Sequence, residues 1–141
     1  MPPRSRLTCS FLSHEHGCST VAYSSLTQSL IIGGRKGSLS IFDLRAQKML
    51  TSIHHAHDTP ISCLSVDQNI IATGSMDGVV KTWSLITSGS KNYIEPCNTF
   101  LPKPTPTTHK IRDSRIYCIR IQERYLFSTS NGVLSIRILD H

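Results

Sequence analysis

Long hydrophobic runs, charged residues and aromatic side chains are all scarce in this sequence. No stretch of about 18 apolar residues occurs, which excludes a membrane-spanning helix. The apolar stretch behind the basic start, Met1 to Arg6, is too short and too polar for a signal peptide. Charged residues make up 17% and hydrophobic residues 38% of the 141 residues, which is a globular composition. We therefore expect a cytoplasmic protein.

Paired cysteines are also missing. The five cysteines are an odd number, and no two of them form a Cys-x-x-Cys pair, which predicts free thiols in a reducing compartment. Cys9, His14, His16 and Cys18 have ligand-like side chains at close spacing, but no second cluster accompanies them. A connecting loop is therefore favoured over a metal site, and we expect no metal and no other cofactor.

The sequence does contain an internal repeat. His16 and His57 lie 41 positions apart, and the same offset relates the pairs Gly33 and Gly74, Gly37 and Gly78, Phe42 and Trp83, and Leu44 and Leu85. A third copy follows, with its Gly132 lying 54 positions after Gly78. Each copy has short β-rich runs separated by turn residues, and no segment has a sustained helical period. This pattern is typical of propeller blades, so we predict an all-β, antiparallel fold.

The copies divide the chain into five ranges. Residues 14–53 and 54–85 are the first two repeats, and residues 114–141 are a degenerate third repeat. Residues 1–13 are expected to include the outer strand of a preceding blade, at Thr8 to Leu12. Residues 86–113 hold four of the seven prolines and are expected to be an inserted loop, with one strand near Thr99 to Leu101.

Three repeats are too few to close a propeller, which needs about four to eight blades. We therefore expect about three blades of an incomplete ring. A chain of this kind would be a piece of a longer product or an incomplete gene model.

The run IIATGSMDGVVKTWSL, from Ile70 to Leu85, resembles the core of a WD40 repeat. In that family a histidine, a hydroxyl residue, a turn aspartate and a tryptophan commonly share a hydrogen-bond network, because buried polar groups need partners. The resemblance implies that the second repeat forms this structural tetrad from His57, Thr73, Asp77 and Trp83.

The other two repeats depart from this pattern. Lys36 and Phe42 take the aspartate and tryptophan positions in the first repeat, and Asn131 and Arg137 take them in the third. We therefore expect the tetrad in the second repeat alone, and less rigid blades on both sides of it.

A narrower resemblance covers residues 7–139. The run LIIGGRKGSLSIFDLR, the later repeats and the final Arg137 are similar to the C-terminal blades of the DmX-like (rabconnectin) family of very large WD40 proteins. The resemblance implies a non-enzymatic scaffold that promotes assembly of the vacuolar proton-pumping ATPase (V-ATPase) and so organelle acidification. Its partners would be V-ATPase assembly factors or subunits, and its association with endosomal or vesicle membranes would be indirect.

Two other functions remain open. One is a generic WD40 adaptor in vesicle traffic or ubiquitin ligation. The other is a nucleic-acid-binding module, which the net charge of +6 suggests but the scattered basic residues disfavour. No motif indicates a catalytic set or a small-molecule substrate, and a strand rather than a helix follows Gly33 to Gly37, so that run predicts a hairpin turn and not a phosphate loop.

The nearest approach to a basic cluster is in the first repeat. Arg35 and Lys36 stand in a turn where WD40 repeats usually have an acidic residue, and Arg45 and Lys48 follow. These four residues are the candidate partner-binding site, on the hypothesis that they dock an acidic protein surface. The alternative is a solvated basic face with no partner.

Overall fold

The computed structural model describes residues 17–89, 91–102, 115–130 and 133–140. Every regular element in these ranges is a β-strand, and no helix there has the length and hydropathy needed to cross a membrane. The strands are β1 (Cys18–Ser24), β2 (Ser29–Gly34), β3 (Leu39–Asp43), β4 (Lys48–Ile53), β5 (Ile61–Asp67), β6 (Ile70–Ser75), β7 (Val80–Ser88), β8 (Lys91–Phe100), β9 (Cys118–Gln122), β10 (Tyr125–Ser130) and β11 (Val133–Ile138).

The strands form three antiparallel sheets in which each strand pairs with its neighbours in sequence. Strands β1 to β4 make the first sheet, β5 to β8 the second, and β9 to β11 the third. Short turns can connect these strands, because each antiparallel strand begins beside the end of the preceding one. The all-β, antiparallel prediction is therefore confirmed, and the three sheets are successive blades that do not close a ring.

Glycine makes the tight turns between the second and third strands of the first two sheets. Gly37 and Gly78 have φ angles of +82° and +86°, which side chains with a Cβ rarely adopt. Their N–H groups donate to the carbonyls of Gly34 at 3.1 Å and Ser75 at 3.2 Å. The predicted hairpins are confirmed here, and a strand rather than a phosphate-binding helix follows Gly37.

The predicted insertion over residues 86–113 is wrong for its first part. Strand β7 continues to Ser88, and β8 pairs with β7 along its length, from Ser88 opposite Lys91 to Val80 opposite Phe100. The prolines misled the prediction: Pro96 lies on the outermost strand, where a missing N–H breaks no ladder. Residues 91–100 are therefore the fourth strand of the second blade rather than a loop.

Several other predictions fall outside the described residues. These are the outer strand at Thr8 to Leu12 in the range 1–13, the side chains of Cys9, His14 and His16, and the turn at Asn131 and Gly132.

The hydrophobic core lies between neighbouring sheets. One buried cluster joins the first and second sheets, and its members include Ile31, Leu39, Ile41, Ile61, Ile71 and Trp83. A second cluster joins the second and third sheets, and its members include Ala72, Val80, Ile116, Ile119 and Leu126. The alternation of side chains along each strand gives every sheet two faces, so a central blade must be apolar on both.

The repeat glycines Gly33 and Gly74 allow the blades to approach closely. A Cβ built on Gly33 would lie 2.8 Å from Ile61 Cγ2, and one built on Gly74 would lie 2.6 Å from Ile116 Cγ2. Both distances are shorter than real Cβ atoms show. Ile61 begins β5 of the second blade, and Ile116 lies two residues before β9 of the third. The offset of 41 between these glycines therefore reflects close packing rather than turn geometry, against the next blade at both positions and also against Thr20 of the same sheet at Gly33.

Replacing Gly74 with alanine should destabilise the protein by about 1 to 3 kcal/mol, because the new methyl group forces Ile116 and its backbone away from the second blade. Chemical denaturation of the full-length protein measures this loss. Gly89 is the matched control, since a Cβ there would contact nothing within 4 Å. Its positive φ adds only local strain, so an equal loss in both variants would contradict the stacking role of Gly74.

The third sheet has an uncovered face. Leu39, Val80 and Leu134 occupy equivalent positions, yet their side chains are 0%, 2% and 63% exposed. The first two are buried by the blade that follows, whereas Leu134, with Ile136 and Ile138 beside it, packs against no described sheet. This face has the composition of a blade interior, which agrees with the expected incomplete ring.

Candidate interaction site

A buried hydrogen-bonded group supports the second blade. The indole Nε1 of Trp83 donates to Thr73 Oγ1 at 2.9 Å, and His57 Nε2 lies 2.7 Å from the same oxygen. His57 and Thr73 are 1% and 0% exposed. Strands β6 and β7 place Thr73 and Trp83 on one face, and the linker after β4 carries His57 over that face. The structure thus joins three of the four predicted tetrad residues.

Burial keeps the imidazole of this group neutral. Desolvation, aided by the positive charge of Lys81, lowers the pKa of His57 from 6.5 to about 4. The ammonium of Lys81 donates to the carbonyl of Ala56 at 2.8 Å, next to His57 in sequence. Nδ1 of His57 is buried and has no hydrogen-bond partner. Protonation of the ring would therefore bury a positive charge that no hydrogen bond at Nδ1 stabilises.

Asp77, the fourth predicted member, does not bond to His57. Its Oδ1 accepts from the Ser75 hydroxyl and from the N–H of Val79, at 3.1 Å for the latter. Burial alone would raise the pKa of Asp77, but these hydrogen bonds and the nearby His57 outweigh it and lower the pKa. The tetrad prediction is therefore corrected to a triad. The physical reason is that donors in its own turn hold Oδ1, so the interaction of Asp77 with His57 is electrostatic and not a hydrogen bond.

The first blade replaces this triad with apolar contact. Ile32 stands where the second blade has Thr73, and Phe42 stands where it has Trp83. Both side chains are buried. The second blade therefore supplies hydrogen bonds at a place where the first supplies only packing.

The third blade has a polar substitute that the repeat offset conceals. Ser128 pairs with Ser135 as Thr73 pairs with Lys81, so β10 is displaced by one residue relative to β11. This register brings Arg137 Nη1 within 3.4 Å of Ser128 Oγ, in the way that Trp83 meets Thr73. The Arg137 guanidinium also lies 4.7 Å from the ring centroid of Phe100 on β8. Arg137 therefore ties the third blade to the second.

The four predicted partner-binding residues do not form one site. Arg35 and Lys36 lie in the β2–β3 turn, at the end of the sheets where β1, β5 and β9 begin, which we call the upper end. Arg45 and Lys48 lie in and beside the β3–β4 turn, at the opposite, lower end. Strand β3 separates the pairs by about 13 Å, at roughly 3.3 Å per residue. The prediction of one basic edge is wrong, because successive hairpin turns alternate between the ends.

The upper end carries an excess of positive charge among the described residues. Its cations are Arg35, Lys36, Lys81 and Arg115, and its carboxylates are Asp58 and Asp77. The lower end is balanced, with the cations Arg45, Lys48, Lys91 and Arg124 and the carboxylates Asp43, Asp67, Glu123 and Asp140. An acidic partner would therefore be attracted to the upper end.

A depression of about 390 Å³ opens at the upper end, where the inner strands of all three blades begin. Arg35 and Arg115 line it together with apolar side chains that include Pro60, Met76 and Tyr117. Hydrogen bonds fix the surrounding backbone. The N–H of Arg35 donates to Gly17 O at 3.0 Å, and the N–H of Met76 donates to Pro60 O at 3.1 Å.

Sequence reasoning missed most of this depression. Met76 is the repeat equivalent of Arg35, 41 positions later, so the repeat offset could have placed it here. No such offset relates Arg115 and Tyr117 to either residue. Arg115 and Tyr117 follow the range that we predicted to be a loop. For Arg115 and Tyr117 the available signal was their position just before the first strand of the third repeat, which places them at the same end as the β2–β3 turn.

Ligand-like side chains do not assemble around a metal in the part of the chain that the structure describes. No group of three or more His, Cys, Asp or Glu side chains is placed to hold an ion there. Of the ligand-like residues Cys9, His14, His16 and Cys18, the structure describes Cys18, which is exposed at the start of β1.

Comparison with known proteins gives one family match. The family model "WD domain, G-beta repeat" matches residues 48–84. This range begins at β4, the outer strand of the first blade, and ends within β7 of the second. One sequence repeat therefore contains the outer strand of the first blade and three strands of the second, so each repeat contributes strands to two neighbouring sheets.

Two curated relatives are similar over larger parts of the chain. DmX-like protein 1 of Mus musculus is 39% identical over 85 residues, which is 59% of this chain and 3% of that protein. U3 small nucleolar RNA-associated protein 12 of Saccharomyces cerevisiae is 33% identical over 121 residues, which is 79% of this chain and 12% of that protein. The chain thus spans only a small part of either relative.

A solved structure shows the same fold at low sequence identity. The crystal structure of RRP9 WD40 repeats has a TM-score of 0.69 and 15% identity, and the match covers 89% of this chain and 36% of that one. Three consecutive blades of a propeller therefore describe this chain.

Proposed function

We propose that this chain, which is a segment of a WD40-repeat β-propeller, is a non-enzymatic surface that binds other proteins. The observation that carries the proposal is the upper end: a depression lined by apolar side chains and two arginines, formed where three blades meet. Such a surface offers shape and charge to a partner. Turns and linkers supply its side chains, and rigid sheets hold them in place, as in many binding sites built on loops.

More specifically, we propose a role in V-ATPase assembly and organelle acidification, as the DmX-like resemblance implies. The similarity to DmX-like protein 1 supports this, together with the Gly33 to Gly37 turn and the Arg137 that replaces tryptophan. The partners would be V-ATPase assembly factors or subunits. The protein would be cytoplasmic and would reach endosomal or vesicle membranes through those partners.

A second candidate is a scaffold in an RNA-containing particle. Its support is the similarity to U3 small nucleolar RNA-associated protein 12, which extends over more of this chain than the DmX-like similarity does. The net charge of +6 is compatible with this alternative. One fold serves many functions, so partner identity must decide between the two.

Affinity purification of the full-length protein, tagged at its own locus, separates these candidates. The V-ATPase proposal predicts recovery of V-ATPase subunits or assembly factors that survives ribonuclease treatment, and slower re-acidification of vesicles when the protein is depleted. Recovery of small nucleolar RNA, lost on ribonuclease treatment, together with normal vesicle pH would overturn it and favour the second candidate. An untagged strain controls for carry-over.

A further inference from the structure

We infer that the upper-end depression binds an acidic peptide segment of a partner protein, with an apolar side chain of that segment in the depression and its carboxylates on Arg35 and Arg115. This inference rests on the proposed function as a protein-binding surface, and it names the chemistry of the partner. It also replaces the basic edge predicted from sequence, since Arg45 and Lys48 lie at the other end.

The two arginines are held on opposite blades. The backbone of Arg35 is bonded to Gly17, and its Cδ would lie 3.3 Å from a Cβ on that glycine, so the aliphatic stem runs along the start of β1. Arg115 precedes Ile116, whose N–H donates to Ser75 O at 3.1 Å, and its guanidinium lies 6.0 Å from the ring centroid of Tyr117. Guanidinium groups bind carboxylates in a bidentate manner, so the pair can hold two acidic groups across the depression.

Between the arginines the wall suits an apolar anchor. Met76 and Tyr117 are 36% and 54% exposed, and Pro60 lies beside them. Methionine adapts to irregular partners, and Met, Tyr and Arg are enriched at protein interfaces. A volume of about 390 Å³ accommodates a leucine or aromatic side chain together with the backbone that carries it.

Charge favours the acidic partner at this end alone. The described residues of the upper end include four cations and two carboxylates, and one of these carboxylates, Asp77, is bonded to Ser75 and Val79. The lower end has equal numbers of cations and carboxylates in the described ranges. An apolar depression between two arginines also differs from the continuous basic stripe that a nucleic-acid backbone needs.

An array of immobilised peptides tests the inference with the full-length protein. Each peptide carries one leucine or phenylalanine at varied spacing from two glutamates, and each has a matched copy with glutamine in place of glutamate. We expect some glutamate peptides on the array to bind. Measured in solution by fluorescence anisotropy, their dissociation constants should be about tenfold lower than those of the glutamine copies, because the copies lose the charge-assisted hydrogen bonds.

Variants locate the contact. Arg35→Ala and Arg115→Ala should each remove most of the preference for glutamate, Arg35→Lys and Arg115→Lys should keep part of it, and Met76→Ser should weaken the glutamate and glutamine peptides alike. Arg45→Ala and Arg124→Ala, at the lower end, are the matched controls and should change nothing. Thermal unfolding of each variant confirms that the fold is intact, and the lysine variants keep the test valid if an alanine variant fails to fold.

The inference is overturned if no peptide binds, if glutamate and glutamine peptides bind with equal affinity, or if the lower-end controls lose as much affinity as the upper-end variants. Displacement of bound peptide by a single-stranded oligonucleotide of higher affinity would also overturn it and assign the depression to nucleic acid. If the Arg35→Ala and Arg115→Ala proteins still recover the cellular partners at wild-type levels, this site fails while the proposed function stands. If no partner is recovered by any form, the proposed function itself fails.

Discussion

Replacing Trp83 with alanine is expected to lower the free energy of unfolding by about 3 to 5 kcal/mol. The side chain is only 4% exposed and packs between the first two sheets. Its removal leaves a cavity and also takes the indole donor from Thr73. Chemical denaturation of the full-length protein, followed by a spectroscopic signal that does not depend on this sole tryptophan, measures the loss.

Phe42 provides the matched comparison because it occupies the equivalent position in the first blade and is equally buried. Phe42→Ala should cost about 1 kcal/mol less, since no hydrogen bond from a ring donor is lost with it. A double-mutant cycle of Trp83→Phe and Thr73→Val isolates the hydrogen bond itself. Equal losses of unfolding free energy for Trp83→Ala and Phe42→Ala, with no coupling in the cycle, would show that packing alone explains the aromatic ring at this position of the two repeats.

Acid should destabilise the protein through His57, by about 3 kcal/mol between pH 7 and pH 4. The folded protein lowers the pKa of His57 to about 4, while the unfolded chain keeps it near 6.5. Between these values the unfolded state binds more protons than the folded state, so the free energy of unfolding falls as the pH falls. The loss is complete below the folded pKa and absent above the unfolded one.

The groups that face His57 define this window. Lys81 opposes protonation, whereas Asp77 and Asp58 favour it weakly. Asp77 contributes a separate acid effect, because its lowered pKa means that its stabilisation is lost only below the ordinary carboxyl range. The window between pH 4 and pH 6.5 therefore belongs to His57 rather than to the carboxylates.

Denaturation of the full-length protein at a series of pH values checks this prediction. The His57→Gln variant should be less stable at neutral pH, because it lacks the imidazole that contacts Thr73. Its free energy of unfolding should, however, change less between pH 4 and pH 6.5 than that of the wild type. His54→Gln is the matched control, since His54 is exposed in the same linker, and it should keep the wild-type slope. An unchanged slope in His57→Gln would rule out His57 as the titrating group.

The predicted strands and turns agree closely with the structure where the pattern was local. The short β-rich runs and the glycine turn expected in the second repeat are present as β5 (Ile61–Asp67), β6 (Ile70–Ser75) and the turn at Gly78. Alternating side chains and a glycine turn identify such strands because both depend only on residues close in sequence. The outer strand β8 was largely missed because an edge strand is exposed on most of its residues and tolerates proline, so its sequence resembles a loop.

The candidate site was harder to predict because its members come from separate repeats. Arg35 was selected for its unusual turn position, and the structure places it in the lining of the depression. Arg45 and Lys48 are near Arg35 in sequence, yet the intervening strand β3 puts them at the other end. Sequence distance is a poor guide to spatial distance across a strand, whereas residues on three different blades become neighbours at one end of the sheets.

By itself the sequence determined the repeat, the all-β class, the blade count and the glycine turns, because each of these follows from a short pattern that recurs at a constant offset. The resemblance of the second repeat also named His57, Thr73 and Trp83 as hydrogen-bond partners. Only the tertiary structure decided the other polar contacts. Asp77 bonds within its own turn, Arg137 meets Ser128 through a one-residue change of register, and Arg115 and Arg35 line the same depression from different blades. The physical reason is that hydrogen bonds and charge contacts depend on distances of a few ångströms, which stacking sets and spacing along the chain does not.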